Sequence, residues 1–142
     1  MGLVLCAPVA WASSPAEASA HGAISTTLLQ TTVSWNGAPL LSPVRERPEF
    51  QTVLVEIAPK SATAWHRHPC NNIAYILSGR LRIELEDGHS REFKEGDSFA
   101  ETVDTWHRGV NLGEKPLRIL VVYAGQVGEP LSVPKASVKA GN

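Results

Sequence analysis

Two histidines one residue apart, in Trp65-His66-Arg67-His68, are the side chains here best suited to holding a metal ion. In an extended segment residues i and i+2 point to one face, so both imidazoles can reach the same ion. A third, His107, stands in Asp104-Thr105-Trp106-His107-Arg108-Gly109. The chain between them is long enough to run out, turn and return beside the first pair. Such a centre takes one divalent metal, and spacing does not separate iron, manganese, nickel, copper and zinc. Taken alone, H-x-H is a weak signal, because surface histidines at that spacing are common. His89 sits in an Asp-Gly-His turn tip and is expected to be exposed, and chance accounts for His21.

Other reactive types lie close by. Glu101 and Asp104 precede His107 and are the candidate catalytic residues, as a general base or as holders of an imidazole, against the plainer reading of solvated loop carboxylates. Cys70, in Pro69-Cys70-Asn71-Asn72, could reach the mouth of a site, but a lone thiol in such a turn reads better as a bystander. By strand alternation Trp65 and Trp106 point away from the ligand side into an outer layer. Arg67 and Arg108 also project outward, where they could meet Glu residues of a second subunit. Tyr75, an odd number of residues from Asn72, belongs to the outer face too.

The elements that must position these groups are strands. Phe50 to Ile57 and Leu117 to Ala124 are rich in β-branched residues, and Ile73 to Leu77 ends at Ser78-Gly79. Leu81, Ile83 and Leu85 alternate with Arg82, Glu84 and Glu86, the period of a half-buried strand. Asp87-Gly88 then signals a tight hairpin, with Arg91 to Phe93 returning. No segment keeps a 3.6-residue apolar period, so the chain reads as all-β, a sandwich or barrel.

At 142 residues the chain is the size of one domain. With 43% hydrophobic and 19% charged residues it has enough apolar material for a core, which excludes a disordered chain. A formal net charge of −1 is too balanced for a nucleic-acid binder, so a small-molecule ligand is the expected partner. Neither Cys6 nor Cys70 lies in a CxxC pair, and two cysteines make no disulfide scaffold.

Residues 1–20 read as a signal peptide or a disordered tail. An apolar run is followed by small residues and Ala18-Ser19-Ala20, the kind of site a signal peptidase cuts, although no Lys or Arg precedes the run. The expected location is periplasmic or secreted, otherwise cytoplasmic. No apolar stretch reaches the ~18 residues that span a bilayer, so no membrane association is expected after processing. Residues 21–49 then supply N-terminal strands and loops, 50–125 the barrel core, and 126–142 an irregular tail.

The run from His66 to Gly79 resembles the first motif of the cupin superfamily, and Gly96 to Asn111 resembles the second, with Gly96, His107 and Asn111 at the matching spacings. Thr102 and Asp104 stand where that motif usually has Pro and Gly. The resemblance implies a single cupin barrel, a double-stranded β-helix or jelly roll, with a metal on His66, His68 and His107. It also implies one departure. The motif's usual Glu, seven residues before Gly79, is Asn72, which becomes a weak ligand or one that contacts a ligand rather than the metal.

Three neutral imidazoles would leave the ion's full charge in place and favour anionic partners. Similar three-His cupin sites occur in iron(II) dioxygenases. That resemblance puts iron first among the metals, ahead of manganese, nickel, copper or zinc, and implies a small iron(II) oxygenase-like enzyme acting on a small anionic substrate, with a non-redox isomerase or lyase as a variant. A non-catalytic small-molecule-binding or structural cupin is the alternative. Strand edges that need covering, together with the family's frequent pairing, point to a homodimer.

Overall fold

The computed structural model describes residues 17–18 and 24–136. The chain divides into two units, Met1–Gln30 and Thr31–Asn142. In the first, β1 (Glu17–Ala18) pairs antiparallel with β2 (Ile24–Ser25). Cys6, His21 and most of the segment read as an export signal lie outside the described residues.

In the second unit the alternating runs become strands. They are β3 (Pro48–Ile57), β4 (His66–Arg67), β5 (Asn71–Ser78), β6 (Arg80–Leu85), β7 (Ser90–Lys94), β8 (Ser98–Ala100), β9 (His107–Asn111), β10 (Leu117–Gln126) and β11 (Val133–Pro134). Four of them form a sheet in the order β3-β10-β5-β8, and five form a second in the order β11-β4-β9-β6-β7, with every named pairing antiparallel. The described residues contain no helix, and so none long and apolar enough to cross a membrane. The architecture is the all-β jelly-roll barrel.

The core lies between the two sheets. Leu81 and Ile83 of β6 face it at 2% exposure each, while Arg82 and Glu84 between them take the outer face. Ala74 and Ile76 of β5 and Leu117, Ile119 and Val121 of β10 close it from the other side. Phe93 and Phe99, one from each sheet, stack with ring centroids 3.7 Å apart. Burying a ring of this size contributes about 1.5–3 kcal/mol, so this contact does much to hold the sheets together.

The turns account for the motif glycines. Gly79 has φ +97°, and a Cβ there would stand 3.2 Å from Leu117 Cα, so both backbone and space demand glycine. Asp104, at the second motif's usual glycine, takes φ +49°, a left-handed conformation that Asp tolerates better than most residues. The Asp87-Gly88 hairpin is present, but it is not the two-residue turn. Gly88 N donates to Leu85 O and Leu85 N to His89 O, and of the loop residues only Gly88 is left-handed, as in a three-residue loop. His89 at its tip is exposed. Asn111 is 1% exposed and ties the turn after β9 together, its amide donating to Ile57 O and Lys115 O while accepting from Gly113 N.

Three expectations change. The tail after Gly125 is not irregular throughout: β11 pairs with β4, and Lys135 N donates to Trp65 O. Pro134 fits there because β11 is an edge strand. Residues 31–49 also belong to the barrel unit, since Trp35 N donates to Ala100 O and the Trp35 ring meets Phe93 edge-on. Finally, Arg67 and Arg108 do project outward, but they find carboxylates in their own chain. Arg67 pairs with Asp104 at 2.7 Å and Arg108 with Glu84 at 2.8 Å, and the two guanidinia lie over the Trp106 and Trp65 rings.

Candidate metal centre

Pairing between β4 and β9 sets His66 directly opposite His107, which places both imidazoles on the inner face of the five-stranded sheet. His68 follows where the chain leaves β4 for β5, anchored by Asp104 N donating to His68 O. The three ring centroids stand 4.5 to 5.0 Å apart, and one nitrogen from each ring lies within 4.8 Å of the other two. His68 and His107 are 3% exposed, while His66 is half-buried at the rim.

Hydrogen bonding orients each ring. His66 Nδ1 donates to Ala64 O at 2.8 Å, His68 Nδ1 to Leu131 O at 2.7 Å, and His107 Nδ1 to Thr105 O at 2.8 Å. A carbonyl oxygen can only accept, so each Nδ1 is protonated and each Nε2 faces the centre. Three such nitrogens fit a divalent ion, whose bond to imidazole is ~2.0–2.1 Å for zinc. The tail contributes directly, because Leu131 lies just before β11.

A carboxylate joins the imidazoles. Glu101 Oε2 lies 2.7 Å from His68 Nε2 and 3.7 Å from His107 Nε2, in a residue only 9% exposed. Burial opposes its ionisation, yet the His107 and His68 rings beside it hold its pKa well below the usual carboxylate range. Burial likewise opposes a charge on His68, but the bond to Glu101 and the Glu101 charge push its pKa up. His66 goes the other way: burial pushes its pKa down despite the Ala64 carbonyl, helped by the nearby His107 and His68.

The other named residues divide clearly. Asp104 is exposed, pairs with Arg67 and is no part of the site, because its left-handed backbone turns it to the outer side. Glu101 is no solvated loop residue: it lies two residues beyond Phe99 and shares that residue's inner face. The sequence carried this signal as Phe99-x-Glu101 alternation. Asn72 is also on the inner face and 2% exposed, but neither its amide nitrogen nor its oxygen has a hydrogen-bond partner. Cys70 is buried, its thiol pushed up in pKa by burial and by Glu129, which leaves it a poor nucleophile. Trp65, Trp106 and Tyr75 are half-buried.

Beneath the imidazoles is a cavity of ≈ 60 Å³, walled by aliphatic residues such as Val55, Ile83, Ile119 and Val121, with Tyr123 beside His68. One water needs ~10–15 Å³, so the space suits a small ligand of a few non-hydrogen atoms.

A family model described as Cupin domain matches residues 53–123. No curated protein matches the chain in sequence. Among solved structures, Bacillus subtilis oxalate decarboxylase, an enzyme with Mn(II) centres, is 26% identical at a TM-score of 0.52, covering 60% of this chain and 23% of its own. A formate complex of the Lactobacillus farciminis oxalate decarboxylase is 21% identical at 0.53, covering 60% and 26%. A DMSP lyase structure is 18% identical at 0.52, covering 61% and 44%. At 21% and 18% identity the likeness is one of fold. The chain spans less than half the length of each of these proteins.

Proposed function

The chain belongs to the cupin family, and on that premise we propose that it is a small metal-dependent enzyme, iron(II) oxygenase-like, acting on a small anionic substrate. His66, His68 and His107 hold the ion. The observation that carries this reading is that all three Nδ1 atoms are committed to backbone carbonyls, which turns three Nε2 atoms onto one point above a cavity. A redox-active divalent ion supplies a Lewis acid and an electron source for dioxygen. The protein supplies the rest. The aliphatic wall excludes water, the cavity limits the substrate to a few atoms, and Glu101 removes one unit from the ion's charge, leaving a site that suits a small monoanion.

The test is oxygen uptake by iron-loaded, tag-free protein offered a panel of carboxylates of two to four carbons. Substrate-dependent oxygen consumption is the expected result. Saturable binding of the same anions with no oxygen consumed and no product formed would instead make the protein a binding module.

We also propose that the protein works as a homodimer. On the outer face of the four-stranded sheet Phe50, Leu54, Ile73, Leu77 and Val122 are exposed, Phe50 at 75%. A two-fold pairing of this face with a second copy buries the same apolar row twice. Light scattering at micromolar concentration should give twice the 15.3 kDa chain mass, and a concentration-independent monomer would reject the pairing.

A further inference from the structure

We propose that Glu101 is the carboxylate ligand of this centre, delivered from the end of β8 to make up for the amide at position 72. The inference rests on the metal-centre reading above and extends it to a residue outside the three imidazoles.

Position 72 and position 101 are neighbours across two strands. Ala74 pairs with Phe99 in the β5–β8 ladder, and two residues further on Glu101 N donates to Asn72 O at 3.2 Å. Alternation therefore brings both side chains to the inner face at one level of the barrel. Of the two, Asn72 has no hydrogen-bond partner at either amide atom, whereas the Glu101 carboxylate lies 2.7 Å and 3.7 Å from two of the nitrogens that would bind the ion. Two acids at these positions would be buried side by side and repel each other. One acid and one amide avoid this cost.

The Glu101 backbone is also held in place. Its carbonyl accepts from Ser34 Oγ at 2.8 Å, and Ser34 is itself 3% exposed. With its N–H on Asn72 and its carbonyl on Ser34, the residue has little freedom to withdraw its carboxylate from the imidazoles. A ligand fixed from both sides loses little entropy when it binds an ion.

The experiment is a Co(II) titration, followed by the visible absorption of the bound ion and by competition with a chelator. It compares the wild type, Glu101→Gln, the exchange variant Asn72→Glu/Glu101→Gln, and His66→Ala. Circular dichroism of the metal-free proteins checks that each is folded. Glu101→Gln keeps the size of the side chain and one acceptor oxygen but removes its charge, and should weaken Co(II) by about 10- to 100-fold or more and alter the absorption bands. The exchange variant should recover most of the affinity, which a merely structural role for Glu101 would not produce. A Glu101→Gln protein that binds Co(II) as tightly as the wild type, with unchanged bands, would overturn the assignment while leaving the three-histidine centre standing. A wild type that binds no better than His66→Ala would overturn the centre itself.

Discussion

Replacing His68 with alanine is expected to abolish metal binding and, independently of any ion, to cost more stability than replacing either of the other two histidines. The reason is the partner it leaves behind. Glu101 is buried and ionised, His68 is its nearest cation at 2.7 Å, and His107 is a full ångström further off. Removing one member of a buried pair strands the other charge, a loss of about 3–5 kcal/mol, far above the 0–1 kcal/mol of an exposed bridge such as Lys60–Glu114. His66 has no such pair and lies at the rim, so His66→Ala should lose the ion yet keep most of the stability. Urea denaturation of the metal-free variants gives the ranking. The double variant His68→Ala/Glu101→Gln should regain part of the loss by removing the stranded charge. If His68→Ala unfolds at the wild-type midpoint, Glu101 is not held as a buried anion.

The ranking depends on contacts that sequence patterns reveal unevenly. Long strands announce themselves: β6 alternates Leu81, Ile83 and Leu85 with charged residues, and the runs Phe50 to Ile57 and Leu117 to Ala124 form most of β3 and β10. The histidines were visible for a related reason, since H-x-H with a third histidine is a pattern of side-chain types. By contrast β4 is two residues, His66 and Arg67, and its strand character comes from the neighbours β9 and β11 rather than from propensity. What orients His68 could not be read at all, because its Nδ1 bonds to the main chain of Leu131, and a backbone carbonyl leaves no mark on residue type.

Glu101 marks the boundary between legible and hidden. Its carboxylate was plain in the sequence, but its direction depended on whether β8 kept its alternation past Ala100. It does so because Trp35 N and Ser34 Oγ bond to the carbonyls of Ala100 and Glu101 from the stretch before β3. A contact across 67 residues fixes the face on which the acid lies. Residue types alone put Glu101 near the histidines in sequence, and only the face it takes brings its carboxylate to their nitrogens.

Filling the cavity beneath the imidazoles should separate metal binding from substrate binding. Val121, 3% exposed, lines that cavity from β10, while the three histidines stand on or next to the opposite sheet. In Val121→Phe the larger ring extends into this ≈ 60 Å³ of space. Overpacking of this kind costs about 1–3 kcal/mol, which leaves a folded protein. The nitrogens and their backbone partners are untouched, so Co(II) affinity should stay within about threefold of wild type, roughly 0.6 kcal/mol. Small carboxylates, detected by the change they cause in the Co(II) absorption, should bind at least about tenfold more weakly, ~1.4 kcal/mol, and oxygen uptake should fall with them. The smaller Val121→Ala should shift preference toward longer acids. A Val121→Phe protein that binds and turns over the same acids as the wild type would show that the substrate reaches the ion from another side, and the size limit drawn from the cavity would fall.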